Sequence, residues 1–294
     1  MQNRTDDRIS KFLKTVCEIP SLDAAVQKLV ELSETDASSR DFAALILKDQ
    51  GLAAKVLRLV NSAFYAQGKS IVSIPHASAL LGTKTLKSLV LSVKVAHLMS
   101  KAAAGLEPLV FWRHSIATAV ASQRLAQLAL PAMDEDMYIA GLFHDAGIAL
   151  LAKHVTDDYA KVLRASRSVG RNLAQLEEEL FGISHAEIGS SLTTRWRLSS
   201  VVSDAIRYHE TESAKWVLSS PENAKGVAIV ALADAIAAHV GLEFDGVPSG
   251  PGSLPQPPEI LELDSGDIEA IASTLSSDVA EKERALAPHE SVVA

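Results

Sequence analysis

The sequence predicts an all-α protein: two helical bundles in succession, followed by a tethered tail helix. Three observations carry that prediction. Apolar residues recur at helical spacing along almost the whole chain. Only "KSIVSI", residues 69–74, offers a strand, and an extended loop describes it equally well. Proline, glycine and short polar residues interrupt the pattern where helices would start and stop.

The elements follow in order. "LDAAVQKLVEL" places Leu22, Val26, Leu29 and Val30 on one stripe. "SSRDFAALILKD" opens on Ser38 with Asp41 three residues later, a capping box with aspartate in place of glutamate. "GLAAKVLRLVNSAFY" spaces Leu52, Val56, Leu59 and Val60 helically, and Asn61–Ser62 ends it through local backbone hydrogen bonds. Pro75 fits the first turn of the next helix, which continues through Leu86, Leu89, Val90 and Val93 to His97.

From Pro108, "FWRHSIATAVASQRLAQLAL" is alanine-rich and helix-prone. Pro131 breaks it, and Asp134 offers a cap for "EDMYIAGLFHD". "DYAKVLRASRS", "NLAQLEEELFG", "SHAEIGSSLTTRW", "SSVVSDAIRYHE" and "GVAIVALADAIAAHV" read as further helices. Residues 246–258, "GVPSGPGSLPQPP", form a linker. The tail beyond it carries an apolar stripe of Ile268, Ile271 and Leu275. The expected division is residues 1–105, 106–245 and 246–294 for the two bundles and the tail.

Composition excludes several functions. The 294 residues carry a net charge of −8 with no run of lysine and arginine, which disfavours a nucleic-acid groove. The longest apolar stretch, residues 226–242, is short for a membrane span and holds Asp234 at its centre, so a buried helix is expected and no membrane partner. The single cysteine, Cys17, permits no intrachain disulfide and fits a reducing cytoplasm. No apolar signal-peptide core opens the chain.

The chemistry centres on "AGLFHDAGIALLAKH", residues 140–154, where His144 and Asp145 stand in an apolar segment. A buried carboxylate needs a partner: an arginine, backbone N–H groups or a metal ion. His114, His185, His209 and Asp234 also lie among apolar or small residues. Imidazole nitrogens and carboxylate oxygens suit divalent transition metals. Adjacent helical residues diverge by roughly 100°, so His144 and Asp145 reach one cavity only at a helix end or a bend near Gly147. The spacing alone leaves metal ligands and ordinary core or ion-paired roles both open. His97, His154 and His239 read as core or partly exposed residues, and His76 and His289 as loop or tail residues. Arg113, Lys153 and Arg207 read as solvated, and Trp112 and Trp196 as packing anchors.

Three stretches add a resemblance. His144–Asp145 within "AGLFHDAGIALL" looks like the signature of the HD superfamily. "ILKDQGLAAKVLRLVNSAFY" and "SIPHASALLGTKTLKSLVLS" resemble the HDOD family, with "FWRHS", "GISHAEIG" and "AIRYHE" in order downstream. The likeness spans roughly residues 10 to 240. It implies an HD-type second bundle and a bacterial signalling role. It also implies a metal site of His114, His144, Asp145 and Asp234, with His185 and His209 matching the extra histidines of two-metal HD-GYP enzymes. One or two ions of iron, manganese, zinc or nickel are compatible. If the site is catalytic, His144 and Asp145 are the candidates.

The chain departs from HD-GYP enzymes at Ile148, where they carry lysine, and lacks a Gly-Tyr-Pro segment. Cyclic-di-GMP hydrolysis is therefore not expected. Three functions stay open: a regulatory module acting through a signalling protein partner, a metal-dependent phosphohydrolase, and a nucleotide sensor without turnover. A phosphate-containing small molecule is the expected ligand, and a homodimer is compatible with the apolar tail stripe.

Overall fold

A computed structural model describes residues 20–33, 35, 38–61, 71–99, 106–211, 220–244 and 254–286. Cys17, Ser62, His289 and most of the 246–258 linker lie outside the described residues. Among those described there is no strand. Residues 71–73 run without regular structure into a helix, so the strand offered by "KSIVSI" is not formed there.

The N-terminal helices are α1 (Ala24–Ser33), α2 (Ser39–Ile46), α3 (Gln50–Val60) and α4 (Ile74–Met99). Ser38 caps α2 by accepting from the Asp41 backbone N–H. Its hydroxyl also donates to Asp41 Oδ2 at 2.7 Å, so aspartate bonds the cap side chain within the box. Asn61 ends α3: its Nδ2 donates to the carbonyls of Leu57 and Ile71, and its Oδ1 accepts from the Ile71 N–H. This is the structural role read from the sequence. Gly82 interrupts α4 at φ 81°, a conformation costly for any residue with a Cβ, so two helical segments meet there. His76 sits in the first turn of α4, not in a loop.

The second set comprises α5 (Pro108–Ala129), α6 (Asp134–Phe143), α7 (Ala146–His154), α8 (Thr156–Val169), α9 (Leu173–Phe181), α10 (His185–Arg195), α11 (Ser200–Tyr208) and α12 (Pro221–His239). Helix α5 packs on α6 and α12, α11 on α12 and α6, and α10 on α7 and α11. Two glycines permit this closeness. A Cβ on Gly141 would lie 2.6 Å from the Thr118 carbonyl oxygen, and one on Gly147 only 2.0 Å from the His185 carbonyl oxygen. The second contact lets the start of α7 touch the start of α10.

One continuous hydrophobic core runs through both sets. Helix α4 packs on α5, α6 and α7. The polar part of this seam is ordered: Glu135 accepts from Thr85 and Ser88, and Lys87 pairs with Asp136 at 3.3 Å. Trp196 spans the seam as an anchor, packing edge-on against Phe143 and donating to the Pro20 carbonyl.

The tail helix α13 (Ser265–Leu286) docks on α5, α3 and α12 of its own chain. Ile268, Ile271 and Leu275 are buried, as the stripe requires. Arg124 and Arg113 hold it through Asp278 at 2.6 Å and Glu283 at 2.8 Å. Leu275 is fully enclosed, so Leu275→Ala should cost about 2–5 kcal/mol in urea unfolding. A loss below 0.5 kcal/mol would mean that the tail is not docked in solution.

Lys282 is buried with Nζ 4.0 Å from the Tyr138 ring centroid. Burial pushes its amine down to about 7 from 10.5, against the pull of Glu135 and Asp278. Between those values the unfolded chain binds more protons, so this group makes stability rise with pH from about 7 towards 10.5. Lys282→Met should remove that rise when unfolding midpoints are compared from pH 7 to 9. Parallel pH profiles for the two proteins would refute it.

Candidate metal centre

The chain breaks at His144–Asp145. His144 closes α6, and Asp145 precedes α7 with φ −100° and ψ 8°. The bend therefore lies at the pair itself rather than at Gly147, and it lets adjacent side chains enter one space. Two other histidines also use helix ends. The capping box of Ser184 and Glu187 starts α10 and sets His185 at its first position, while His209 closes α11. His114 and Asp234 project from within α5 and α12.

All six residues expected from the sequence converge. Asp145 Oδ2 lies 3.3 Å from His144 Nε2 and 3.4 Å from His114 Nε2. Its Oδ1 lies 3.4 Å from His185 Nε2 and 3.8 Å from His209 Nε2. Asp234 Oδ1 is 3.2 Å from His114 Nε2 and 3.7 Å from His144 Nε2. Two groups result, sharing Asp145: His114–His144–Asp145 and Asp145–His185–His209.

The imidazoles are fixed from behind. Nδ1 of His114 faces the Leu242 carbonyl at 2.9 Å, that of His144 the Gly141 carbonyl at 2.7 Å, and that of His209 the Ile206 carbonyl at 2.7 Å. Nδ1 of His185 faces Glu177 Oε2 at 2.7 Å. A carbonyl or carboxylate oxygen only accepts, so each Nδ1 carries the proton. In the neutral rings every Nε2 then presents a lone pair inward. His114 and His144 set two such lone pairs 3.0 Å apart, an arrangement that calls for a proton or a cation. His185 Nε2 is buried without a hydrogen-bond partner. For bonds of about 2.1 Å, ligand atoms around one ion lie roughly 3.0–3.5 Å from each other, close to the distances seen. The buried His/Asp cluster is thus suited to a metal ion.

Charge supports the same view. Burial works against ionised Asp145, yet His144, His114 and His185 hold it well below the carboxylate range. Burial likewise opposes charge on His114, but Asp145 and Asp234 drive it well above the usual value. Burial, His144 and His185 push His209 down to about 4, keeping it neutral. Negative charge is fixed here, and the site is arranged to draw positive charge to it.

Two residues escaped the sequence reading. Glu177 is fully buried on α9, accepts from the backbone N–H and Nδ1–H of His185, and also accepts from the Tyr159 hydroxyl at 2.5 Å. Glu210 follows His209, lies 3.9 Å from His185 Nε2 and keeps a quarter of its side chain exposed to the cavity above. The signal for Glu177 was a glutamate on the inward face of "LEEELF"; for Glu210 it was only adjacency to His209. Arg113 is paired to the tail, and Lys153 is exposed. Neither lines the cavity. His154 and His239 are partly exposed, in line with the sequence reading, whereas His97 is exposed.

The HDOD domain family matches residues 19–212 of this sequence. The chain belongs to the HDOD family. Over 213 residues it is 27% identical to an uncharacterized protein of Treponema pallidum (strain Nichols), a match covering 71% of this chain and 41% of that protein. This HDOD chain thus spans well under half of that relative's length. An HDOD domain protein of unknown function from Geobacter sulfurreducens superimposes with a TM-score of 0.81 at 26% identity, over 97% of this chain and 98% of the other. A candidate phosphohydrolase from Shewanella amazonensis SB2B superimposes with a TM-score of 0.72 at 23% identity, over 95% and 98%. The second likeness establishes the shared fold.

Partners behind metal-ligating histidines commonly tune affinity by 10–100-fold. Glu177→Gln should therefore lower the affinity for a divalent ion by about 10–100-fold while the far-ultraviolet circular dichroism stays helical. Unchanged affinity in a metal titration would remove Glu177 from the centre.

Proposed function

We propose that this HDOD protein is a regulatory signalling module built on a metal centre. Its HD cavity holds one or two divalent transition ions, takes up a phosphate-bearing small molecule, and relays that occupancy to a protein partner. One observation carries the reading: four imidazole Nε2 atoms and the carboxylates of Asp145 and Asp234 converge at the base of a cavity of about 340 Å³ that His114, Asp145, His185 and Asp234 line. His114, His144 and Asp234 would hold one ion, His185 and His209 a second, and Asp145 would bridge them. Iron, manganese, zinc and nickel all suit these ligands.

Regulation is favoured over turnover by Ile148. It lines the cavity from the third position of α7, where the resemblance places a lysine in HD-GYP enzymes. An aliphatic side chain offers no charge to a phosphoryl group. The contacts of α4 with α6 and α7, the helices that flank His144–Asp145, support such a relay. No helix among the described residues is long and apolar enough to cross a membrane. The acidic net charge and single cysteine support a cytoplasmic protein without a nucleic-acid partner.

A second reading, metal-dependent phosphohydrolase, is favoured by the two faces of Asp145, whose oxygens address different histidine pairs. Bound ions would supply Lewis acidity and a hydroxide near neutral pH. Glu210 Oε2, at the cavity wall, is placed to accept a proton from water.

Metal analysis of protein purified without an affinity tag tests the proposal. The wild type should carry one to two equivalents of a transition metal, and Asp145→Ala less than a tenth of that. Equal metal content in both proteins overturns the metal centre. Steady hydrolysis of a chromogenic phosphoester by the wild type, lost in Asp145→Ala, selects the enzyme reading instead.

A further inference from the structure

The cavity over the His/Asp cluster has a floor and a rim of different chemistry. His114, Asp145, His185 and Asp234 line the floor. The rim includes Gly170, Arg171, Asn172 and Leu173, which join α8 to α9. Gly170 turns the chain at φ 67°, and the Ser166 hydroxyl donates to the Arg171 carbonyl at 2.9 Å, which fixes the turn. Asn172 caps α9 by accepting from the Gln175 N–H at 3.0 Å. The turn thus brings to the cavity both the positive end of α9 and an arginine. Among the described residues that line the cavity, Arg171 is the fixed cation.

We propose that Arg171 is the anion-holding residue of this cavity and that its ligand is a small phosphate monoester. The phosphoryl group lies between the floor and the 170–172 turn. The proposal rests on the metal-centre reading, since Glu210 and Glu243 also line the cavity and repel an anion until cations offset them. His185 Nε2, buried and without a hydrogen-bond partner, is a metal ligand in that reading and marks the floor as the place where a cation would face the phosphoryl group. Ile148, Leu173 and Phe244 supply apolar wall for the organic part of the ester. The volume, about 340 Å³, is near the lower end of small-molecule sites, which favours a compact ligand.

Arg171 is presently paired with Glu179 through two hydrogen bonds of 3.1 and 2.5 Å. Both side chains are solvent-exposed, and such pairs are weak and readily exchanged. A phosphate dianion offers the same fork geometry with more charge, so it displaces Glu179 as the partner of the guanidinium. Helix α9, which begins at this turn, also carries Glu177 behind His185, so an anion at the rim and the floor histidine meet on one rigid element.

Calorimetric titration of inorganic phosphate into the manganese-loaded full chain tests this. Arg171→Ala should weaken phosphate binding by about 10–100-fold, the loss of charge-assisted hydrogen bonds, with bound manganese unchanged. Arg171→Lys should recover part of the affinity through its charge without the fork. Glu179→Gln should tighten binding a few-fold by releasing the arginine. Phosphate affinity in Arg171→Ala within twofold of the wild type, at intact manganese content, overturns this proposal alone. A wild-type chain that takes up none of iron, manganese, zinc and nickel overturns the metal-centre reading beneath it.

Discussion

The carboxylate of Asp145 governs this structure. It is almost fully buried in an apolar surround, where an unpaired charge is prohibitive, and its two oxygens face four imidazole Nε2 atoms. Helices from across the second bundle are committed to that meeting: α5, α10, α11 and the break between α6 and α7. Replacing any one imidazole would leave the carboxylate partly uncompensated, so packing and electrostatics are tied to the same few residues.

Helix ends do much of the positioning. A side chain inside a helix is limited to the direction its register allows, whereas a residue at a terminus is turned by the change of backbone angles. His144, Asp145, His185 and His209 all take this route. Behind them the Nδ1 atoms are anchored to backbone carbonyls or to Glu177, so ring orientation and protonation are set before any ligand arrives. Gly147 belongs to the same arrangement. Without a side chain it lets α7 approach the His185 carbonyl, which brings the His–Asp pair within reach of His185.

The tail and the α4 seam extend the centre outward. Helix α13 covers α5, the helix that carries His114, and also touches α3 of the N-terminal set. Its buried Lys282 rests on Tyr138 of α6, one turn and a half from His144. Movements of the N-terminal helices or the tail therefore press on the elements that hold the site. The proposed report of occupancy to a partner would use these contacts.

The sequence by itself determined the helical class, the order of the helices, the apolar stripe Ile268–Ile271–Leu275 and the prominence of the His144–Asp145 pair. Periodicity and caps are local signals, and a buried His–Asp pair is conspicuous in an apolar run. The resemblance to the HDOD family then singled out His114, His185, His209 and Asp234 from the other histidines and carboxylates, which spacing alone did not. Tertiary structure decided what depends on long-range approach. It placed the break at His144–Asp145, paired each Nδ1 with its acceptor, brought Glu177 behind His185 and set Arg171 at the cavity rim. Glu177 carried only the local signal of its place on the inward face of "LEEELF", and Arg171 lies in a turn between helices; neither signal names the histidine or the cavity across from it, because that approach is long-range.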